Sequence, residues 1–310
     1  MRKDVEFKTE DGLTLRGWHY VPTSDSGPFP TVVMAHGFSC VKEMFLDKYA
    51  DVFVAAGLGV LVYDNRNFGD SDGLPRQEVD PWGQIRDYRH AITYAGTLPD
   101  VDSDRIGIWG TSYTGGHVLV VAAIDKRVKC VVSQVPVVSG YRNAHRALRE
   151  DLIPEVLASF AADRDARFAG KAPAMVPVAS QDPGTVCAFP GKNAYDSFLG
   201  APRWRNEVTL RSLEMFWEHE TIGYVDKIGP TPLLMIIEDA DTLAAVDQTL
   251  EAYDRALEPK KLLVLSGGHF DAYVRDQRLT AEAARDWYVQ HLCGQPSGLT
   301  ERELVAVANR

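Results

Sequence analysis

Ser112 lies in a segment that could make a serine hydroxyl reactive. The segment Gly110-Thr111-Ser112-Tyr113-Thr114-Gly115-Gly116 follows a short apolar run and precedes the apolar stretch 117–124. This pattern is typical of a sharp, strained turn from a strand into a helix, where small neighbours let the helix pack closely and expose the serine. The usual Gly-x-Ser-x-Gly spacing would place glycine at position 114, where this chain has threonine. The alternative is an ordinary helix start capped by Thr111 or Ser112.

A reactive serine needs a histidine as general base and an acid that holds the histidine in one tautomer. After a strand–turn–helix serine, these two residues follow in the order acid, then histidine, each beyond a later strand. Asp241 follows the apolar run 232–238, and His269 follows the run 260–266. We therefore predict that Ser112, Asp241 and His269 are the catalytic residues.

Three other carboxylates near Asp241 are alternatives for the acid. Glu238 and Asp239 would lie nearer the edge of the sheet, and Asp247 is predicted on the following helix. Asp241 is favoured because a carboxylate further along the loop can reach across to Nδ1 of His269.

Two backbone N–H groups could stabilise an oxyanion beside Ser112. The run 31–35 ends in His36-Gly37-Phe38, where the glycine lets the backbone turn sharply toward the serine. The N–H groups of Phe38 and Tyr113 are the predicted oxyanion-hole donors. His36 and His117 are interpreted as structural histidines.

These residues depend on a repeated alternation of strands and helices. Residues 4–21 alternate apolar and polar side chains around Asp11-Gly12, which predicts an antiparallel β-hairpin. Short runs rich in β-branched residues predict buried parallel strands at 31–35, 59–64, 105–110, 128–135, 232–238 and 260–266. Amphipathic stretches predict helices at about 42–56, 81–98, 113–124 and 273–293. The fold class is therefore α/β, a mostly parallel sheet with helices on both faces.

The alternation stops between residues 136 and 232, which is too long for an ordinary crossover. We expect a core formed by residues 1–136 and 232–294, a mostly helical cap insertion at 137–231, and a tail at 295–310 with one short helix. Within the insertion, 142–161 and 208–219 are predicted to be helical, and 172–205, rich in Pro, Gly and Ser, to be irregular. Its aromatic residues are candidates for a pocket, although core packing is their default role: Phe160, Phe168, Phe198, Trp204, Phe216 and Trp217.

Composition narrows the range of partners. The 310-residue chain has a formal net charge of −10 and no Lys/Arg run, which argues against nucleic acid and an anionic membrane surface. The first residues are charged rather than apolar, and no stretch reaches the ~20 apolar residues of a membrane span, so a cytoplasmic location is expected. Four separated cysteines with no CxxC pair give no reason to expect a metal or disulfides, and no cofactor is expected.

Several motifs resemble those of the α/β-hydrolase superfamily, and within it the branch of X-Pro dipeptidyl-peptidase-like hydrolases, dienelactone-hydrolase-like proteins and fungal polyketide transferases. The motifs are His36-Gly37-Phe38, Asp64-Asn65-Arg66, Ser71-Asp72-Gly73, Gly110-Thr111-Ser112-Tyr113 and Gly268-His269-Phe270-Asp271. The resemblance implies the α/β-hydrolase fold, with Ser112, Asp241 and His269 as triad and the Phe38 and Tyr113 amides as oxyanion donors.

A serine at the nucleophile position favours acyl transfer, because dehalogenase and epoxide-hydrolase chemistry on related folds needs a carboxylate there. We expect a serine hydrolase that cleaves an ester, lactone or thioester of a small molecule through an acyl-enzyme on Ser112. The alternatives are an acyltransferase or C–C bond hydrolase acting on a polyketide- or diketone-like substrate, and a ligand-binding protein without turnover. A homodimer through the insertion or the tail is left open.

Overall fold

The centre of the structure is a mixed β-sheet. The computed structural model describes residues 1–23, 27–182, 185–198 and 202–295. In these residues the sheet has eight strands. They are β1 (Arg2–Lys8), β2 (Thr14–Tyr20), β3 (Phe29–Ala35), β4 (Gly59–Tyr63), β5 (Val101–Thr111), β6 (Val128–Gln134), β7 (Leu233–Glu238) and β8 (Lys260–Leu265). All six predicted buried runs and the predicted hairpin are strands of this sheet.

The strands lie side by side in the order β1-β2-β4-β3-β5-β6-β7-β8. Strand β2 pairs antiparallel with β1 and with β4, and the strands from β4 to β8 all run parallel. The chain order reverses at β3, which has β4 on one side and β5 on the other. Open α/β sheets bind ligands at the carboxyl ends of the strands, near such a reversal.

Helices cover both faces of the sheet, as predicted. The helices next to the sheet are α1 (Leu46–Ala55), α2 (Pro81–Ala95), α3 (Tyr113–Ile124), α8 (Val246–Arg255) and α9 (Gln277–Cys293). One apolar cluster joins the sheet to α2, α3 and α8, and a second joins the opposite face to α1 and α9. Strands buried on both faces must be apolar throughout, which explains the uninterrupted runs.

Two helices begin later than the sequence predicts. Helix α1 begins at Leu46 rather than near 42, because the Lys42 N–H donates to the Asp64 carboxylate at 2.7 Å and Phe45 has a left-handed φ of 67°. Helix α9 begins at Gln277 rather than 273, because Asp271–Tyr273 forms a separate 3₁₀ turn.

Residues 137–231 contain four helices within the part that the structure describes. They are α4 (Gly140–Ala147), α5 (Ile153–Phe168), α6 (Lys192–Phe198) and α7 (Leu210–Trp217). Two-residue strands at Met175–Val176 and Val208–Thr209 pair with each other, as do those at Ala179–Ser180 and Phe189–Pro190, and 3₁₀ turns span Glu150–Leu152 and Ile222–Lys227.

Two details of this insertion correct the sequence analysis. The single helix predicted over 142–161 is wrong, because the backbone is extended at Leu148 and Arg149. The segment 172–205 is not irregular throughout, because it contains α6 and three of the short strands. The division into core and insertion stays a prediction, and nearly all of the predicted tail, 296–310, lies outside the described residues.

No helix in the described part of the chain is long and apolar enough to cross a membrane.

Candidate active site

Ser112 lies at a strained turn between β5 and α3. Its backbone has φ 55° and ψ −118°, a conformation that residues other than glycine rarely adopt. The turn requires glycine at position 110, since a Cβ there would lie 2.2 Å from the Thr114 carbonyl oxygen. Glycine is also required at 116, where a Cβ would lie 2.3 Å from the Val137 carbonyl oxygen. The tight turn therefore places the Ser112 side chain just beyond the carboxyl end of β5.

Thr114 fits the position where glycine is usual because its hydroxyl is used. The side chain is fully buried, and Oγ1 accepts a hydrogen bond from the Thr111 N–H at 3.0 Å. The same hydroxyl lies 3.0 Å from the carbonyl oxygens of Ala35 and Thr111, to either of which it can donate. The threonine therefore ties the end of β3 to the turn that carries Ser112.

The structure brings Ser112, His269 and Asp241 into one hydrogen-bonded chain. Nε2 of His269 lies 2.9 Å from Oγ of Ser112, and Nδ1 lies 2.7 Å from Oδ2 of Asp241. The other Asp241 oxygen accepts the N–H groups of Leu243 and Ala244, each at 2.8 Å. Because the carboxylate accepts from Nδ1–H, Nε2 is left free to accept the serine proton.

None of the three alternative carboxylates takes the place of Asp241. Asp239 is exposed and accepts the Gly267 N–H at 3.1 Å, and Asp247 lies on α8 in an ion pair with Arg146. Glu238 is fully buried, and neither carboxylate oxygen has a hydrogen-bond partner in the described residues. Burial raises the pKa of Glu238 to about 8, against the opposite effect of the Arg275 guanidinium 3.6 Å away, and this favours the neutral form near pH 7.

The two predicted oxyanion donors are brought close by strand pairing. Strand β3 pairs with β5 with Ala35 beside Gly110, so the loop after β3 lies beside the Ser112 turn. In the part of the chain that the structure describes, neither the Phe38 N–H nor the Tyr113 N–H donates a hydrogen bond to another group. Tyr113 is also the first residue of α3, whose N-terminus favours negative charge.

Both histidines interpreted as structural are held away from Ser112 by other partners. Nδ1 of His36 accepts the Gly37 N–H at 2.8 Å, so Nε2–H donates to the Met44 carbonyl at 2.6 Å, and burial lowers the pKa of His36 to about 4. Nε2 of His117 lies 3.0 Å from the Gln84 side chain, and Nδ1 lies 3.2 Å from His219.

A pocket that is partly open to solvent leads to Ser112 and His269, and the empty space in it and at its open mouth together is about 540 Å³. Its lining among the described residues is otherwise mostly apolar and has no Lys, Arg, Asp or Glu: Phe38, Cys40, Met44, Phe45, Phe189, Phe198, Leu243, Phe270, Tyr273 and Val274, together with His36, Gly37 and Ser197. Phe198 was among the aromatic candidates, whereas Phe189 was not. Phe168, also a candidate, is 96% exposed.

Sequence reasoning missed a buried polar network around the loop that carries His269. The Tyr273 hydroxyl bonds to Thr111 Oγ1 at 2.5 Å, and the Tyr49 hydroxyl donates to the Ala272 carbonyl at 2.9 Å. Gln134 Nε2 donates to the hydroxyls of Tyr49 and Thr111, at 3.0 and 3.3 Å. The network fixes the loop that carries His269. These positions are far apart in the chain, and no local pattern marks them.

Asn143 of α4 is a second missed residue. Its Nδ2 donates to the Leu243 carbonyl at 2.6 Å, and its Oδ1 accepts the Ala245 N–H at 3.3 Å. Helix α4 thus holds the loop that carries Asp241. No group of three or more His, Cys, Asp or Glu side chains in the described residues is placed to hold a metal ion.

The family model described as X-Pro dipeptidyl-peptidase (S15 family) matches residues 11–271. The chain belongs to this family. Among curated relatives, a thiohydrolase from Eupenicillium brefeldianum is 38% identical over 279 residues, which cover 87% of this chain and 88% of the relative. The quorum-quenching protein AidA from Acinetobacter baumannii is 32% identical over 275 residues, covering 87% and 88%.

Solved structures place the S15-family chain in the α/β-hydrolase fold. The α/β hydrolase GrgF from Penicillium sp. sh18 has a TM-score of 0.82 and 30% identity, covering 94% of this chain and 99% of its own. A polyketide transferase from Penicillium sp. is 31% identical over 296 residues, covering 94% of this chain and 97% of the relative. The chain is therefore an α/β-hydrolase enzyme, and hydrolysis or transfer of an acyl group on a small molecule is its activity class.

Proposed function

We propose that the protein is a serine hydrolase that cleaves an ester, lactone or thioester through an acyl-enzyme on Ser112. The observation that carries the proposal is the chain of contacts from Ser112 Oγ to His269 Nε2, 2.9 Å, and from His269 Nδ1 to Asp241 Oδ2, 2.7 Å, at an apolar pocket. The arrangement supplies a nucleophile, a base and an orienting acid in hydrogen-bond reach.

In the first step, Ser112 Oγ attacks the substrate carbonyl carbon while its proton passes to His269 Nε2. The carbonyl π electrons move to oxygen, and the N–H groups of Phe38 and Tyr113 stabilise the resulting oxyanion. Asp241 stabilises the imidazolium without taking its proton. When the oxyanion collapses, the leaving group departs with the proton from His269. Water then releases the acyl group by the same steps, with His269 as base.

The pocket supports a neutral, apolar acyl group as substrate. Its described lining contains no Lys or Arg for an anionic acyl group, and Asp241 is occupied by His269 and two backbone N–H groups. It also contains no carboxylate that could pair with the protonated amino terminus of a peptide, which disfavours dipeptide release. The related thiohydrolases support an acyl thioester within this class.

The test is turnover of p-nitrophenyl esters, acyl lactones and acyl thioesters by wild type and Ser112→Ala. We expect Ser112→Ala to lower kcat by at least about 10³-fold, because the nucleophile is lost. Ser159→Ala is the control, since the Ser159 hydroxyl contacts only its own helix, at the Val156 carbonyl. A folded Ser112→Ala protein that keeps full activity would rule the proposal out. Labelling of wild type by a fluorophosphonate separates an enzyme from a binding protein without turnover.

Acyl transfer is the second candidate, supported by relatives named polyketide transferase and acyltransferase. An apolar pocket that excludes water from the acyl-enzyme would favour an acceptor other than water. Product analysis with an alcohol or amine acceptor decides between them: transfer predicts that the acceptor ester or amide exceeds the free acid, and hydrolysis predicts the reverse. The cytoplasmic location and the homodimer stay predictions.

A further inference from the structure

One aromatic ring of the insertion contacts the side chains of both predicted oxyanion donors. Phe216, near the end of α7, stacks on Tyr113 with ring centroids 5.3 Å apart and an interplanar angle of 23°. The same ring meets Phe38 edge to face, with centroids 6.0 Å apart at 85°. Phe38 and Tyr113 also contact each other at 5.5 Å and 72°. The three rings form a closed triangle.

Other aromatic rings in the described part of the chain contact either Phe38 or Tyr113, but not both. Phe189 meets Phe38 at 5.5 Å but makes no ring contact with Tyr113. His117 and His219 contact Tyr113, at 4.7 and 5.3 Å, but not Phe38. In the described residues, Phe216 is the ring that contacts both donors.

The backbone that presents Phe216 is held firmly in place. Helix α7 is capped by the Thr209 side chain, which accepts the Ser212 N–H, and Ser212 Oγ accepts the Val79 N–H from the loop before α2 at 2.9 Å. At the other end, Gly140 lies against the Phe216 carbonyl so closely that a Cβ there would lie 1.7 Å from the oxygen. The ring therefore projects from a fixed support.

We propose that Phe216 is a positioning residue for the oxyanion hole: it holds Phe38 and Tyr113 by their rings so that their backbone N–H groups converge. The inference rests on the proposed function. Phe216 touches no reacting atom. Its effect is on geometry, because the donors of a catalytic site must be held within about 0.5 Å of the productive geometry to act fully. The insertion thus contributes to catalysis as well as to the pocket.

The first experiment measures kcat and KM for a p-nitrophenyl ester with Phe216→Ala. We expect kcat to fall about 10- to 100-fold, less than the 10²–10³-fold caused by loss of one donor, because both donors remain but are misplaced. KM should change less than about threefold, since Phe216 does not line the described pocket. Phe216→Tyr, which keeps the ring, should restore most of kcat.

The second experiment compares two inhibitors of one alkyl chain length. A trifluoromethyl ketone forms a bond between Ser112 Oγ and its carbonyl carbon, its oxygen becomes an oxyanion, and the serine proton passes to His269 Nε2. The matching methyl ketone binds without forming this oxyanion to a comparable extent. Phe216→Ala should weaken the trifluoromethyl ketone about 10-fold or more and the methyl ketone less than about twofold.

Trp217→Ala is the matched control. Trp217 is the next residue of α7, and its ring contacts Phe160 and His145 rather than Phe38 or Tyr113. It removes a large ring from the same helix and should leave kcat and both inhibition constants within about twofold of wild type. If Phe216→Ala does not fold, Phe216→Leu replaces it, with an expected smaller loss in the same pattern.

Equal kcat values for the Phe216 and Trp217 variants would overturn the inference, as would equal weakening of both inhibitors. Failure of the proposed function gives a different result, because Ser112→Ala would then remain active and the trifluoromethyl ketone would not inhibit wild type better than the methyl ketone. Measurements on wild type and the same variants therefore distinguish failure of the Phe216 inference from failure of the proposed function.

Discussion

At the scale of single residues, the site depends on how each polar group is held. Asp241 uses one oxygen for His269 and the other for two backbone N–H groups, so the acid has one orientation. Glu238, three positions earlier, is the last residue of β7, and burial raises its pKa to about 8, which favours the neutral form near pH 7. Distance past the end of the strand therefore separates the carboxylate that contacts His269 from the one that does not.

The first prediction follows from this difference. Asp241→Asn should lower kcat about 10³- to 10⁴-fold, because an amide cannot stabilise the imidazolium and favours the wrong tautomer of His269. Asp239→Asn is the control: the asparagine can still accept the Gly267 N–H, so kcat should stay within about twofold. Steady-state kinetics with one ester substrate measures both. A large loss of kcat in Asp239→Asn, together with a wild-type kcat in Asp241→Asn, would show that Asp241 is not the acid.

The sequence could predict which three side chains meet at the end of the sheet, because each follows a recognisable strand. Order along the chain and distance past the strand were enough for Ser112, Asp241 and His269. The contacts of Asn143, Tyr273 and Phe216 could not be predicted in this way, because each joins segments separated by more than 70 positions. Such contacts depend on how distant segments pack against each other, which no local pattern encodes.

At the scale of elements, the turn between β5 and α3 has to combine strain with full hydrogen bonding. The unusual backbone of Ser112 costs free energy, of order 1–3 kcal/mol, and the neighbouring groups must stabilise it. Thr114 does so by accepting the Thr111 N–H and donating to a carbonyl oxygen at the end of β3 or of β5. A glycine at 114 could make none of these bonds.

The second prediction concerns this hydroxyl. Thr114→Val keeps the shape but leaves the buried Thr111 N–H without a partner, which should destabilise the protein by about 1–3 kcal/mol. Thr114→Ser keeps the hydroxyl and should cost less than Thr114→Val. The free energies of unfolding from urea titration give the comparison. Equal stability of wild type and Thr114→Val would contradict the proposed role.

Strands whose side chains are apolar on both faces of the sheet were predictable from the sequence, whereas the helices and short strands of 137–231 were less so. Every buried strand was found because packing between two helical layers demands an uninterrupted apolar run. The helix predicted at 142–161 was wrong because local propensity does not report the extended backbone at Leu148 and Arg149. In 172–205, proline and glycine concealed α6 and the short strands, which have only two residues each and so show no alternating pattern.

At the scale of the whole molecule, buried titratable groups give stability two opposing dependences on pH. Burial lowers the pKa of His36 to about 4, that of His219 to about 3, and that of His117 well below 6.5. Below pH 6.5 the unfolded chain binds protons at these histidines that the folded protein does not, so stability falls as pH falls. Glu238 acts in the opposite sense. Its pKa rises from 4.5 to about 8, so the folded protein keeps a proton that the unfolded chain has lost.

The third prediction is a maximum of thermal stability near pH 6.5, with a decline on both sides. Between pH 4.5 and 6.5 the lowered pKa values of His36, His117 and His219 outweigh the raised pKa of Glu238, and stability rises with pH. Between pH 6.5 and 8 the effect of Glu238 dominates the pH dependence. Stability falls as pH rises, because only the folded protein keeps the Glu238 proton. Glu238→Gln has no titrating carboxyl at this position, so its Tm should exceed that of wild type at pH 8 and match it closely near pH 5.

Calorimetry of wild type, Glu238→Gln and Asp239→Asn at pH 5, 6.5 and 8 separates these effects. If Tm falls above pH 6.5 in Glu238→Gln as it does in wild type, groups other than Glu238 cause the fall. If the fall is lost in Glu238→Gln and kept in Asp239→Asn, the buried carboxyl of Glu238 causes it.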